Sequence, residues 1–213
     1  MSYNEFSTYD DIFYPYYPTV FLGEYTIPNG MYPRIINARF PIEWYVLELD
    51  RSNKRALLLS RYSLDWCAFS KRFVIGDWEV TWENSYLKKW LNTEFLEGFS
   101  KEAIKRIVDV RPEKVFLLSV EEYNKYLKGR NEAACTGFFN YPDRDGENES
   151  DWSNSRCDLL KQPWWLRTVL PEDASAVSIV DVDGQLDYSG SGNDEVGIRP
   201  ALWISFEPQE QEL

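Results

Sequence analysis

The 213-residue sequence contains no histidine. That absence excludes Ser-His-Asp and Cys-His nucleophile systems and the usual zinc sites, all of which depend on imidazole. Cysteine is scarce. Cys67, Cys135 and Cys157 make an odd count without metal-type spacing, which reads as free thiols in a reducing compartment. No apolar run approaches the roughly 18 residues that a membrane span needs, so no membrane association is expected. The opening MSYNEFSTYDD carries neither a basic nor an apolar leader segment, so no secretory signal is expected and a cytoplasmic location is preferred; a trimmed chain would look the same. Positive charge is in deficit, with 23 Lys and Arg against 35 Asp and Glu for a net charge of −12. Phosphate backbones call for a basic patch, so nucleic acid is not an expected partner. No glycine-rich turn follows an apolar strand, so no phosphate cradle is expected either.

What the chain has in abundance is aromatic surface: 9 Trp, 14 Tyr and 12 Phe, or 16% of all residues. With 44% hydrophobic residues, there is enough for one substantial core. Residues 1–20 mix tyrosine, proline and acids without period and read as an aromatic N-terminal arm. Residues 21–206 read as a single domain, and 207–213 as an acidic tail. Phe21 to Ile27 suggests a first strand, ended by the turn signal Pro28-Asn29-Gly30. Ile42 to Leu49 alternates as a strand should, and with the apolar Arg55 to Ser60 predicts a β-hairpin. Short helices are expected after Asn84 or Ser85 and after Ser100. A third should follow Ser119, where Ser-Val-Glu-Glu spells a capping box, and stop at Gly129.

The stretch Trp164 to Ile204 carries the strongest pattern. WWLRT (Trp164 to Thr168) and VGIRPALWI (Val196 to Ile204) read as two apolar strands, each with one arginine. Arg167 and Arg199 are expected to be structural, bonded to acids and carbonyls. Pro200 cannot donate to a ladder and predicts a bulge or an edge. Between these strands Asp183-Gly184 signals a two-residue hairpin turn joining Ala176–Val182 to Gln185–Tyr188. Upstream, Asp143, Asp145, Glu147, Glu149 and Asp151 form an acidic cluster. It is read either as a solvated loop or as a calcium site, without the EF-hand spacing.

TWENSYLKKWLN (Thr81 to Asn92), VFLLSVEEY (Val115 to Tyr123), WWLRT and VGIRPALW resemble, in order and spacing, an uncharacterised bacterial family of domains of unknown function. The resemblance runs over roughly residues 20–205. That family in turn resembles the C-type lectin-like fold of formylglycine-generating-enzyme-like domains. The resemblance implies an α+β architecture, with short helices packed around small twisted antiparallel sheets. It also implies a ligand surface between the last strands, made here of Trp152, Asn154, Arg156, Asp187, Tyr188, Asn193 and Asp194.

The expected function is a non-catalytic binding module for a protein, peptide or glycan, since exposed Trp and Tyr suit both sugar stacking and protein hot spots. The alternative implied by the same resemblance is an oxidase holding copper between two cysteines. Cys135 and Cys157 are 22 residues apart, with no matching motif around either.

Overall fold

The computed structural model describes residues 17–26, 39–71, 79–110, 113–136 and 161–206. Eleven strands occur among them. In chain order these are β1 (Thr19–Thr26), β2 (Arg39–Asp50), β3 (Arg55–Ser60), β4 (Ile107–Val108), β5 (Val115–Phe116) and β6 (Cys135–Thr136). They continue with β7 (Lys161–Gln162), β8 (Trp164–Leu170), β9 (Asp173–Val180), β10 (Leu186–Gly190) and β11 (Ala201–Ser205). The six-stranded main sheet runs β1-β2-β3-β11-β4, with β5 also paired to β11. A second sheet runs β10-β9-β8, and β6 pairs with β7. Every pairing between these strands is antiparallel.

This overturns the α+β, C-type lectin-like expectation. Among the described residues the fold is mostly β, 43% strand against 18% helix, and curled antiparallel sheets form its body. The helices among the described residues are α1 (Tyr86–Leu91), α2 (Lys101–Arg106) and α3 (Val120–Tyr126), none longer than seven residues. The 3-10 turns η1 (Phe95–Gly98) and η2 (Asn131–Ala133) add little. Helices this short have only marginal stability of their own and are held by packing onto a sheet. The aromatic and branched residues that dominate the chain favour the pleated surface instead.

Local chemistry explains most element ends. The β2–β3 turn is tied by the Asp50 carboxylate, which accepts bonds from Ser52, Asn53 and Arg55. Those donors hold its pKa well below the usual carboxylate range. Ser85 and Ser100 cap α1 and α2 by accepting the Lys88 and Ala103 amides. At α3 both halves of the capping box form, Ser119 Oγ accepting from the Glu122 amide and Glu122 from that of Ser119. Gly129 ends that region with φ +76°. β11 starts only at Ala201, because Pro200 has no N–H for the ladder.

The core runs between the sheets and is saturated with large rings. Trp44, Trp164 and Trp165 are completely buried, and Phe69 meets both Trp82 and Trp165 with ring centroids about 6 Å apart. Each buried indole N–H has an acceptor: Trp44 the Leu22 carbonyl, Trp164 that of Ala133, Trp165 that of Cys67. Ahead of β1, Tyr17 is already tied down, its hydroxyl donating to the Tyr126 carbonyl at 2.6 Å. No helix among the described residues is long and apolar enough to cross a membrane.

Candidate functional site

The two arginine-bearing segments frame the site without forming it. Arg167 on β8 donates to the Leu117 carbonyl and, at 2.7 Å, to Glu122. Arg199 is fully buried, donating to the carbonyls of Ser60 at 3.0 Å and Glu132 at 2.9 Å, with its guanidinium 4.7 Å from the Trp164 ring centre. Gly197 clamps the segments together, accepting the Trp165 amide and donating to the Pro163 carbonyl. Nothing larger fits there, since a Cβ on Gly197 would lie 2.1 Å from Ser63 Oγ.

What these segments position is the β9–β10 hairpin. Its turn differs from the two-residue expectation. The Asp181 amide donates to the Gln185 carbonyl and the Gly184 amide to that of Asp181, while Gly184 takes φ +81°. This is a three-residue loop, Val182 to Gly184, closed by a glycine bulge. Asp181 organises it by accepting the Asp183 and Gln185 amides on one carboxylate oxygen. The tip is not free. The Tyr123 hydroxyl donates to the Gly184 carbonyl at 2.6 Å, and a Cβ on Gly184 would lie 2.8 Å from the Ala134 amide nitrogen. The turn is thus docked on α3 and η2, leaving the body of β10 exposed.

Tyr188 is 63% exposed and pairs with Ser178; Asp187 is also exposed and pairs with Ile179, so the two face opposite sides of the sheet. The Asp187 carboxylate accepts the Tyr188 amide. Asn193 folds back at the strand's end, donating to Ser189 Oγ and accepting from the Glu195 amide. Asp194 is exposed and lies within electrostatic reach of the Cys67 thiol. Asp187, Tyr188 and Asn193 therefore lie on one hairpin but not on one face of it: Asn193 bonds Ser189, on the Asp187 side, while Tyr188 faces the other way. Trp152, Asn154 and Arg156 lie outside the described residues, as do Cys157 and the acidic Asp143–Asp151 cluster read as a calcium site.

Sequence reasoning missed Leu186 and Val182, which are 40% and 41% exposed. Leu186 shares the Tyr188 face, and the signal was available: alternation through Gln185, Leu186, Asp187, Tyr188 and Ser189 puts the two large apolar residues on one side.

The buried titratable groups elsewhere are committed to structure. Asp65 accepts the Tyr25 hydroxyl at 2.5 Å and the Trp66 amide, and burial raises its pKa against both. Glu113 accepts the Trp82 indole N–H at 2.8 Å, and burial likewise raises its pKa. Burial also pushes the thiols up, Cys67 to about 11, while Cys135 is sealed in the core. Neither resembles the accessible thiolate that a soft metal requires. Among the described residues no three Cys, Asp or Glu side chains cluster as a metal site would need.

No curated protein and no solved structure matches the chain. A family model does match, over residues 53–206, which is shorter than the span of roughly 20–205 read from the sequence but contains all four of its signatures. The chain therefore belongs to the family described as Domain of unknown function (DUF6273).

Proposed function

We propose that this chain is a non-catalytic binding module that presents the β9–β10 hairpin to a protein or peptide. One observation carries the reading. Four large apolar side chains are exposed among the described residues, and three of them, Val182, Leu186 and Tyr188, stand on this hairpin. Grouped exposed apolar side chains mark contact surfaces, whereas scattered ones need no explanation. Tyrosine beside an aliphatic residue also has the composition of a binding hot spot. The docked turn supports the reading, because a surface held in one conformation loses little entropy on binding.

The test is a photo-crosslinking amino acid at position 188, compared with the same group at the exposed Lys105. A defined adduct at 188 only, with Leu186→Asp abolishing it at unchanged melting temperature, is the expected result. Equal labelling at both positions, or a Leu186→Asp variant that keeps the adduct, overturns the hairpin as the binding surface. A glycan-array hit lost in Tyr188→Ala would move the ligand class from protein to sugar.

A further inference from the structure

The fourth exposed apolar side chain, Phe21, stands on the other sheet and lines a groove with its own construction. β1 pairs with β2 as far as Phe21 opposite Glu43, then resumes at Glu24 opposite Pro41. Three steps on β1 match two on β2, so β1 carries one extra residue there, a β-bulge. Gly23 takes φ +70° within it. The bulge resets the alternation. Tyr25 turns into the core at 5% exposure, while Phe21 at 61% and the exposed Glu24 both face outward.

The opposite wall is η1 and the start of α2, pressed against β1 through two glycines. A Cβ on Gly23 would lie 2.6 Å from the Phe99 ring, and one on Gly98 only 2.0 Å from the Glu24 carbonyl oxygen. These contacts fix the floor of a groove of about 620 Å³. That lies within the roughly 300–1,000 Å³ typical of ligand clefts. One wall, on β1 and β2, precedes the residues 53–206 matched by the family; the other lies within them.

The groove's charges are unevenly engaged. Glu24, Glu97 and Glu102 line it with Arg39 and Arg106. Arg39 leans on Glu24 at 3.8 Å, and Arg106 donates its Nε–H to the Ser205 carbonyl at 3.2 Å. Among the described residues no cation pairs with Glu97 or Glu102. An outward aromatic face beside two unengaged carboxylates has the composition that receives a basic side chain, its stem on the ring and its charge on the acids.

We propose that this groove is a second binding site, for a lysine- or arginine-bearing peptide segment. It is separate from the hairpin and does not depend on the hairpin being functional. The basic side chain lies along Phe21, and Glu97 and Glu102 hold its charged head.

The probe is an N-acetylated, C-amidated trilysine peptide titrated calorimetrically into the full chain. Saturable one-to-one binding is expected. Phe21→Ala, and separately the Glu97→Gln/Glu102→Gln pair, should each weaken it about tenfold. Neutralising two acids elsewhere with Glu172→Gln/Glu195→Gln should leave it unchanged, and so should Tyr188→Ala. Absence of saturable binding overturns the proposal. Equal weakening by the two acid pairs does so too, because it reports diffuse attraction to an acidic protein. Since Phe21 is largely exposed, Phe21→Ala should retain the wild-type melting curve; the carboxylate pair tests the site independently of any effect on folding.

Discussion

Arg199 offers the sharpest test of how the interior is held. Its side chain is fully buried, and among the described residues no carboxylate pairs with it. Three carbonyls, of Ser60 at 3.0 Å, Glu132 at 2.9 Å and Arg61 at 3.4 Å, and the Trp164 face satisfy the charge instead. Arg199→Met keeps the stem and removes the fork. The orphaned buried acceptors of Ser60 and Glu132 cost about 1–3 kcal/mol each and the lost ring contact about 1 kcal/mol, while the Arg61 carbonyl keeps the Cys135 thiol as a donor. Burying a charge is itself unfavourable, and relief from that penalty offsets part of the loss. The net expectation is a destabilisation of about 2–4 kcal/mol, or about 4–16 °C in Tm for a domain of this size. Arg199→Lys discriminates the mechanism. Lysine keeps the charge but lacks the planar fork, and it buries a more strongly hydrated head. It should therefore be at least as damaging as methionine in urea unfolding followed by tryptophan fluorescence. If lysine is tolerated while methionine is not, a carboxylate and not the carbonyl fork holds this residue, and the reasoning fails.

Three further changes probe other parts of the frame. Tyr123→Phe removes the bond to the Gly184 carbonyl and should cost about 1–2 kcal/mol, with faster amide exchange from Val182 to Leu186; unchanged exchange would show that the turn is not pinned there. Gly98→Ala drives a methyl group into the Glu24 carbonyl and should lower stability by about 2–3 kcal/mol, so a wild-type urea midpoint would mean that η1 and β1 are not in contact. Glu113→Gln tests linkage. Burial raises the native pKa of Glu113, so its contribution is full below the unfolded carboxylate pKa and is lost as pH rises through the native value. The variant should therefore gain on wild type in Tm between pH 4 and pH 7, conditions set by the ordinary carboxylate range of about 4; losing ground over that interval would contradict the assignment.

Much of the framework was legible because local chemistry specified it. Ser85, Ser100 and Ser119 cap the helices, Gly129 ends the third, and the β2–β3 hairpin lies where alternation puts it. Pairings between distant segments were not legible. β11 lies between β3 and β4 and also meets β5, and no local pattern encodes that. The lectin-like expectation failed at this level: capped helices were readable, but their brevity let the sheets set the architecture. The hairpin turn was misjudged by one residue, because Asp183-Gly184 suits a two-residue turn while the Asp181 carboxylate organises a longer one. On the hairpin, the resemblance pointed to Tyr188, which is exposed, but not to the equally outward Leu186. Phe21 was invisible, since its outward direction depends on a bulge that becomes apparent only when β1 is paired with β2.

The two exposed surfaces share a feature that bears on how they recognise a partner. β1 and β10 are the end strands of their sheets, the place where an added strand would pair. Both edges are guarded by the chain itself. On β1, Gly98 packs on the Glu24 carbonyl and Trp44 donates to that of Leu22. On β10, the Asp181–Gln185 and Ser191–Ser175 bonds direct the odd-numbered residues toward β9, so Leu186, Tyr188 and Gly190 turn their amides outward. Asp187 then takes the Tyr188 amide, and the Asn193 amide donates to the Gly190 carbonyl. The side chains are thereby offered while one outward amide and one outward carbonyl are occupied, which favours recognition through the Leu186–Tyr188 face over strand addition. Asp187→Ala should reverse this by freeing the Tyr188 amide and removing a charge from an apolar edge. The expected result is concentration-dependent self-association in sedimentation velocity, with Tm unchanged, because the carboxylate is exposed and contributes little to folding. A variant that stays as monodisperse as wild type would show that Asp187 does not guard the edge, and strand addition would return as the simpler mode of binding.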